Sequence, residues 1–200
     1  MIRTACVPAV LALAMGVFGL ATTGCSTAPK SDSARAALNT ESRATVSAFM
    51  DRDRSLRTLM DQSVGYAVFP SVGKAGFIGG GAYGRGEVFE RGMFAGYADI
   101  TQGSVGLQIG AQSYDELIVF LTQDQLDKFR RNQFAFSANA SAVALAEGAA
   151  AAADHSQGVI VVVRPQGGLM AEASIGGQEF TFQPAGSAES NERGYATGRE

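Results

Sequence analysis

Few side chains of the kind that do chemistry are present, and their spacing does not favour it. His155 is the one histidine in 200 residues, so a histidine-based metal cluster cannot assemble. It stands between Asp154 and Ser156. A serine, a histidine and an aspartate act together only when they converge in space, and three consecutive residues do not. His155 therefore reads as an exposed loop histidine. Asp115 and Glu116 are neighbours in a stretch that reads as a strand, where successive side chains point to opposite faces. They are not placed as an acid and base pair across one substrate. Gly79, Gly81 and Gly84 fit GxGxxG, but the dinucleotide-binding meaning needs a helix directly afterwards. Here Arg85-Gly86-Glu87-Val88-Phe89-Glu90 reads as strand, so the glycines are expected to bend a sheet. Asp99, late in an apolar strand, reads as a strand-end residue bonded to a turn. No Walker A motif is present. A non-catalytic protein without metal or cofactor is expected.

Cys25 is the residue with a chemical role to assign. Met1-Ile2-Arg3 is a short positive start, and Val7 to Ala21 is an apolar run too short to span a bilayer comfortably. The run Leu20-Ala21-Thr22-Thr23-Gly24-Cys25 resembles a bacterial lipobox, in which the cysteine becomes the acylated first residue. It departs from the usual pattern at Thr22, where leucine is commonest. Ser26 in place of aspartate resembles outer-membrane sorting in Gram-negative lipoproteins. The other cysteine, Cys6, lies inside the leader, so the mature chain has no pair to oxidise. Without Arg3 the mature chain holds 15 basic and 19 acidic residues. That mildly acidic balance argues against nucleic acid as a partner.

The elements around these residues are organised by the stretch from Val64 to Leu121. Thirteen of the 25 glycines lie between Val64 and Gln112. They are interspersed with Val, Ile, Phe and Tyr, which favour a pleated, half-buried backbone. Glycine repeated in strands suggests a tightly bent sheet or close backbone approach. Val105, Leu107, Ile109 and Ala111 alternate with Gly106, Gln108, Gly110 and Gln112, the period of a strand with one apolar face. Leu117 to Leu121 is apolar on both faces and reads as a central strand.

Before this stretch, Ala34 to about Met50 reads as a helix. A second helix, ending near Gln62 and capped by Asp53 or Ser55, follows a break at Asp51 to Asp53. Val64 to Phe69 reads as a strand that Pro70 stops, with a hairpin turn at Arg91-Gly92. Thr122 is expected to cap a short helix near 123–131. Ser141 to Leu145 reads as strand or loop, and Gly158 to Arg164 and Gln178 to Gln183 read as strands. The fold class is α+β: a mostly antiparallel, glycine-rich bent sheet or partial barrel with N-terminal helices. The chain divides into a leader (1–24), a tether (25–33), a single domain (34–183) and a disordered tail (184–200).

FPSVGKAGF at Phe69 to Phe77 and GLQIGAQSYDELIVFL at Gly106 to Leu121 resemble the two signature blocks of the SYLF domain. The resemblance covers about Ser55 to Phe129 and continues more weakly to Gln183. It implies a lipid-binding domain that works at membranes, partly through an N-terminal amphipathic basic segment. The SH3 and zinc modules of some eukaryotic members are absent here, and the actin-related partners are not expected with them. In this chain the basic segment is short and charge-balanced. Residues Lys30 to Arg91 hold nine basic and seven acidic residues, against six and twelve from Gly92 onward. Arg43, Arg54, Arg57 and Lys74 are the residues expected to meet anionic head groups, each adding about 1 kcal/mol near a charged surface. The plainer alternative is a solvated helix face, with Asp53 and Arg57 paired at i,i+4. A second small basic patch is Lys128, Arg130 and Arg131.

The expected protein is thus an envelope lipoprotein, acylated at Cys25 and held at the outer membrane facing the periplasm, whose domain binds phospholipid or another amphiphile. The alternative is a structural protein of the envelope that binds a protein partner.

Overall fold

The computed structural model describes residues 27–76, 79–105, 110–136, 141–167 and 177–186. Helix α1, Asp32–Arg52, begins where the Ser31 hydroxyl accepts the Ala34 amide at 3.2 Å, a side-chain N-cap. It ends at Asp53, which is extended, and α2, Ser55–Gln62, follows. The expected break at Asp51 to Asp53 is there, and Asp53 explains it. One carboxylate oxygen accepts the Ser55 amide at 2.9 Å, the Ser55 hydroxyl at 2.6 Å and the Gly148 amide at 3.0 Å. The other accepts the Ala150 amide at 2.9 Å. One buried aspartate therefore satisfies first-turn N–H groups of both α2 and the short α4, Ala149–Ala152.

Eight strands form one sheet: β1 Gly65–Gly76, β2 Gly79–Glu90, β3 Met93–Val105, β4 Gly110–Phe120, β5 Ala135–Phe136, β6 Ser141–Ala144, β7 Val159–Gly167 and β8 Gln178–Pro184. Their order is β5-β8-β3-β2-β1-β4-β7-β6. Every ladder is antiparallel except β6 with β7. The fold is the expected α+β. Helix α3, Gln123–Arg130, follows β4 with Thr122 at the expected N-cap position, although its hydroxyl makes no capping bond.

Two strand expectations need correction. Pro70 does not end β1. The register shifts between Phe69 and Val72 against β4, and between Val68 and Val72 against β2. Proline, lacking an N–H, is tolerated at such a bulge even in a central strand, and its carbonyl accepts the Gln166 side-chain amide at 2.8 Å. The alternating run from Val105 to Gln112 is not one strand. Val105 ends β3 opposite Gly79, and Gly110 begins β4 opposite Gly76. Residues 106–109, between them, lie outside those described.

The sheet is open at β5 and β6 among the described residues, but it curls strongly. β8 and β4 lie four positions apart, about 19 Å in a flat sheet. Yet the Gln178 amide on β8 donates to Glu116 on β4 at 2.9 Å. Phe69 on β1 and Phe180 on β8, three positions apart, have ring centroids 5.8 Å apart. The concave face is closed by α3 through Leu126 and Phe129, among Phe120, Phe134, Phe180 and the valines of β7. The convex face carries α1, α2 and α4 through Phe49, Leu56, Leu59 and Ala150. β4, flanked by β1 and β7, is buried on both faces over 114–120, and its last four residues, 117–120, are accordingly apolar on both.

Candidate functional site

The inside of the curl holds polar groups that the sequence did not single out. Tyr114 and Glu116 alternate along β4 on the concave face, and Gln178 meets both, donating to the Tyr114 hydroxyl at 3.2 Å. Glu116 and Gln178 are wholly buried, and one oxygen of each side chain has no hydrogen-bond partner. Burial pushes the Glu116 carboxyl up to about 7, opposed only in part by the Gln178 bond. Tyr114 is raised by the same burial and by Glu116. Asp115 points the other way, as the strand rule requires, and is paired on the convex face with Arg164, whose Nε lies 2.6 Å away. That guanidinium also stacks 5.6 Å from the Phe49 ring centre. Burial raises the Asp115 carboxyl, with the Arg164 contacts opposing. An open depression of about 460 Å3 lies nearby, lined by Ala48, Asp51, Arg52, Leu145 and Arg164.

The chemistry set aside at the outset stays apart in space. Gly81 and Gly84 lie within β2, with no helix after them. A Cβ at Gly84 would sit 2.8 Å from Val72, and one at Gly86 2.2 Å from the Val68 carbonyl oxygen, so these glycines serve close packing inside the curl. His155 is exposed, bonded through Nε2 to the Ala150 carbonyl at 2.9 Å. Asp99 is not at a strand end bonded to a turn. It accepts from Arg85 and from the Tyr83 hydroxyl, each at 3.1 Å, on the convex face. Among the described residues no group of His, Cys, Asp and Glu is placed to hold a metal ion.

The residues expected to meet lipid are dispersed. Arg43, on the outside of α1, bonds Asn39 at 2.9 Å, and Asn39 in turn donates to the buried Glu87 of β2 at 3.2 Å. Arg54 is exposed at the α1–α2 junction. Arg57 is exposed but paired with Asp51 at 3.3 Å, not with Asp53. The Lys74 backbone pairs with Ala82 and Gln112, eight ladder steps (about 26 Å) from the Gly65–Glu90 end of the sheet. Phe49 is buried and offers no outward contact. Cys25 lies outside the described residues.

One end of the molecule does gather features of one kind. The β2–β3 hairpin turns at Arg91 and Gly92, with φ of 49° and 78°. Just past it, Met93 is 70% exposed and Phe94 39%. Rings of Tyr66, Phe89, Phe94 and Tyr97 follow in a row, with neighbouring centroids 4.9, 5.9 and 5.1 Å apart. Arg130 of α3 pairs with Glu90 at 2.8 Å beside the turn. Against the same row packs the segment read from sequence as a loose tether. Thr27 and Ala28 are buried, Ala28 shares a cluster with Leu38 and Tyr97, and its amide donates to Gln183 at 3.0 Å. Small side chains let this segment lie flat on the sheet, which composition alone did not reveal.

Residues 101–197 match the family model of Ysc84, described as a Las17-binding protein actin regulator. The match, over just under half of the chain, is consistent with a SYLF-domain protein of the Ysc84 family. The match begins inside β3, while β1 and β2 complete the same sheet between β3 and β4. The sheet to which the matched segment belongs thus extends beyond it. No curated protein matches the chain. The family supports a lipid- or actin-related binding domain as the general class.

Proposed function

We propose that this SYLF protein is a bacterial envelope lipoprotein, acylated on Cys25 and held at the outer membrane facing the periplasm, whose domain binds phospholipid without catalysing a reaction. The observation that carries this reading is the placement of Thr27 and Ala28. They are packed on the domain, and Cys25 stands two residues before Thr27, so it lies within about 8 Å of it. Acyl chains on Cys25 would hold the domain against the bilayer with almost no slack. At such proximity weak contacts to head groups suffice, and Arg43, Arg54 and Arg57 are the cations proposed to supply them, whereas Lys74 lies too far along the sheet to join them. Multiple acyl chains give firm anchoring where one is marginal. The experiment is labelling of cells with a clickable palmitate analogue. Labelled wild type and unlabelled Cys25→Ala are expected; equal labelling of both overturns the reading. A second reading, a protein partner in the envelope, draws on the family description as binding a protein.

A further inference from the structure

We propose that the tip of the β2–β3 hairpin, Arg91 to Phe94, is the part of this domain that enters the lipid surface. The inference rests on the anchoring reading above and assigns it a site different from the basic helices. Met93 and Phe94 are adjacent and exposed at the start of β3, directly after the two-residue turn Arg91-Gly92, at an end of the sheet where a short wedge can project without moving the strands behind it. Their exposure is unusual here. Among the described residues the only other large apolar side chain so exposed is Tyr83, whose hydroxyl is tied to Asp99. Methionine and an aromatic ring suit the boundary between head groups and acyl chains, where flexible apolar and ring side chains are favoured.

The described chain begins at this same place. The Phe94 ring stands 5.1 Å from that of Tyr97, and Tyr97 shares a buried cluster with Ala28. Ala28 is three residues from Cys25, so the acylated residue lies within about 11 Å of this packed cluster. The lipid chains and the hairpin tip would then enter one bilayer side by side. Charge agrees with a head-group rim. Arg91 is exposed at the turn, and Arg130 at the end of α3 is exposed beside it and neutralises Glu90. Thr101, on the same strand as Met93 and eight residues further along, lies about 26 Å from it. It is exposed as well, and provides an internal ruler.

The test uses the full chain, expressed with its leader, purified as the mature lipoprotein and reconstituted into phosphatidylethanolamine–phosphatidylglycerol vesicles containing brominated phospholipid. Acylation blocks the Cys25 thiol, so Met93→Cys or Thr101→Cys supplies the one site for a bimane label. Both positions are exposed and outside the core, so both variants are expected to fold. Quenching by brominated lipid is expected to be at least about threefold stronger at position 93 than at position 101. Acylated protein with equal or weaker quenching at position 93 overturns the hairpin inference alone and leaves this tip to a protein partner. An intact mass without acyl chains on Cys25 overturns the anchoring reading, and the inference falls with it.

Discussion

Glu116 is an acid inside the curl that the neighbouring side chains only half satisfy. Its folded-state value of about 7 lies above the ordinary 4.5, so the native state holds the proton more tightly than the unfolded chain. Its contribution is then most favourable below pH 4.5 and declines as pH rises to about 7, by on the order of 3 kcal/mol. Glu116→Gln is expected to gain stability over wild type between pH 5 and pH 8. Urea unfolding at both values checks this, and a constant difference contradicts it. Asp53 has the opposite sign. Burial raises its carboxyl, but the bonds from Ala150, Ser55 and Gly148 together more than offset that and lower it overall. Its stabilisation is present above the ordinary carboxylate range and is lost only in stronger acid. Asp53→Ala leaves two helix starts unsatisfied and should cost about 3 kcal/mol at pH 7, read from the same unfolding curves. The sequence offered Asp53 or Ser55 as the cap of the second helix, since both residue types suit the position after a helix break. The grip of Asp53 on α4, 95 residues away, left no local signal. Glu116 was visible only as the neighbour of Asp115, because burial of a single acid depends on strands that meet only once the sheet curls.

At the level of elements, glycine density announced the bent sheet, and the positions that need it can now be separated. Gly86→Ala would place a Cβ 2.2 Å from the Val68 carbonyl oxygen and 2.7 Å from the Phe69 ring, so backbone must shift. A loss of a few kcal/mol is expected. Gly103→Ala meets nothing within 4 Å and should melt within a degree or two of wild type. Equal thermal melts for the two would contradict the close packing of β1 on β2. The central strand β4 and the hairpin at Arg91-Gly92 were legible because a two-sided apolar run and a turn dipeptide are local signals. The run from Val105 to Gln112 misled because a period of two in sequence does not tell which strand each end joins, and here its ends belong to β3 and β4. Pro70 misled because a bulge, decided by pairing on both sides, rescues a proline that a regular ladder rejects. The burial of Thr27 and Ala28 left no mark in a short run of small residues, because Ala28 is covered by contacts to Tyr97 and Gln183, far off in sequence.

For the molecule as a whole, a domain packed up to within two residues of its proposed anchor is held in one orientation rather than on a leash. Most of its basic residues lie before Gly92, in the half nearest that anchor. Attraction between these few cations and anionic lipid should weaken with salt, since charges are screened beyond about 8 Å at physiological ionic strength. Arg43→Glu, Arg54→Glu and Arg57→Glu combined are expected to reduce binding to anionic vesicles without changing circular dichroism, because all three side chains are exposed. Lipid affinity of the domain itself is tested most directly by flotation of residues 26–200, made without acyl chains, on neutral and anionic vesicles in low and moderate salt. The prediction is co-flotation with anionic vesicles that falls as salt rises, and little with neutral ones. Protein that stays at the bottom of the gradient under every condition would contradict lipid binding by this domain.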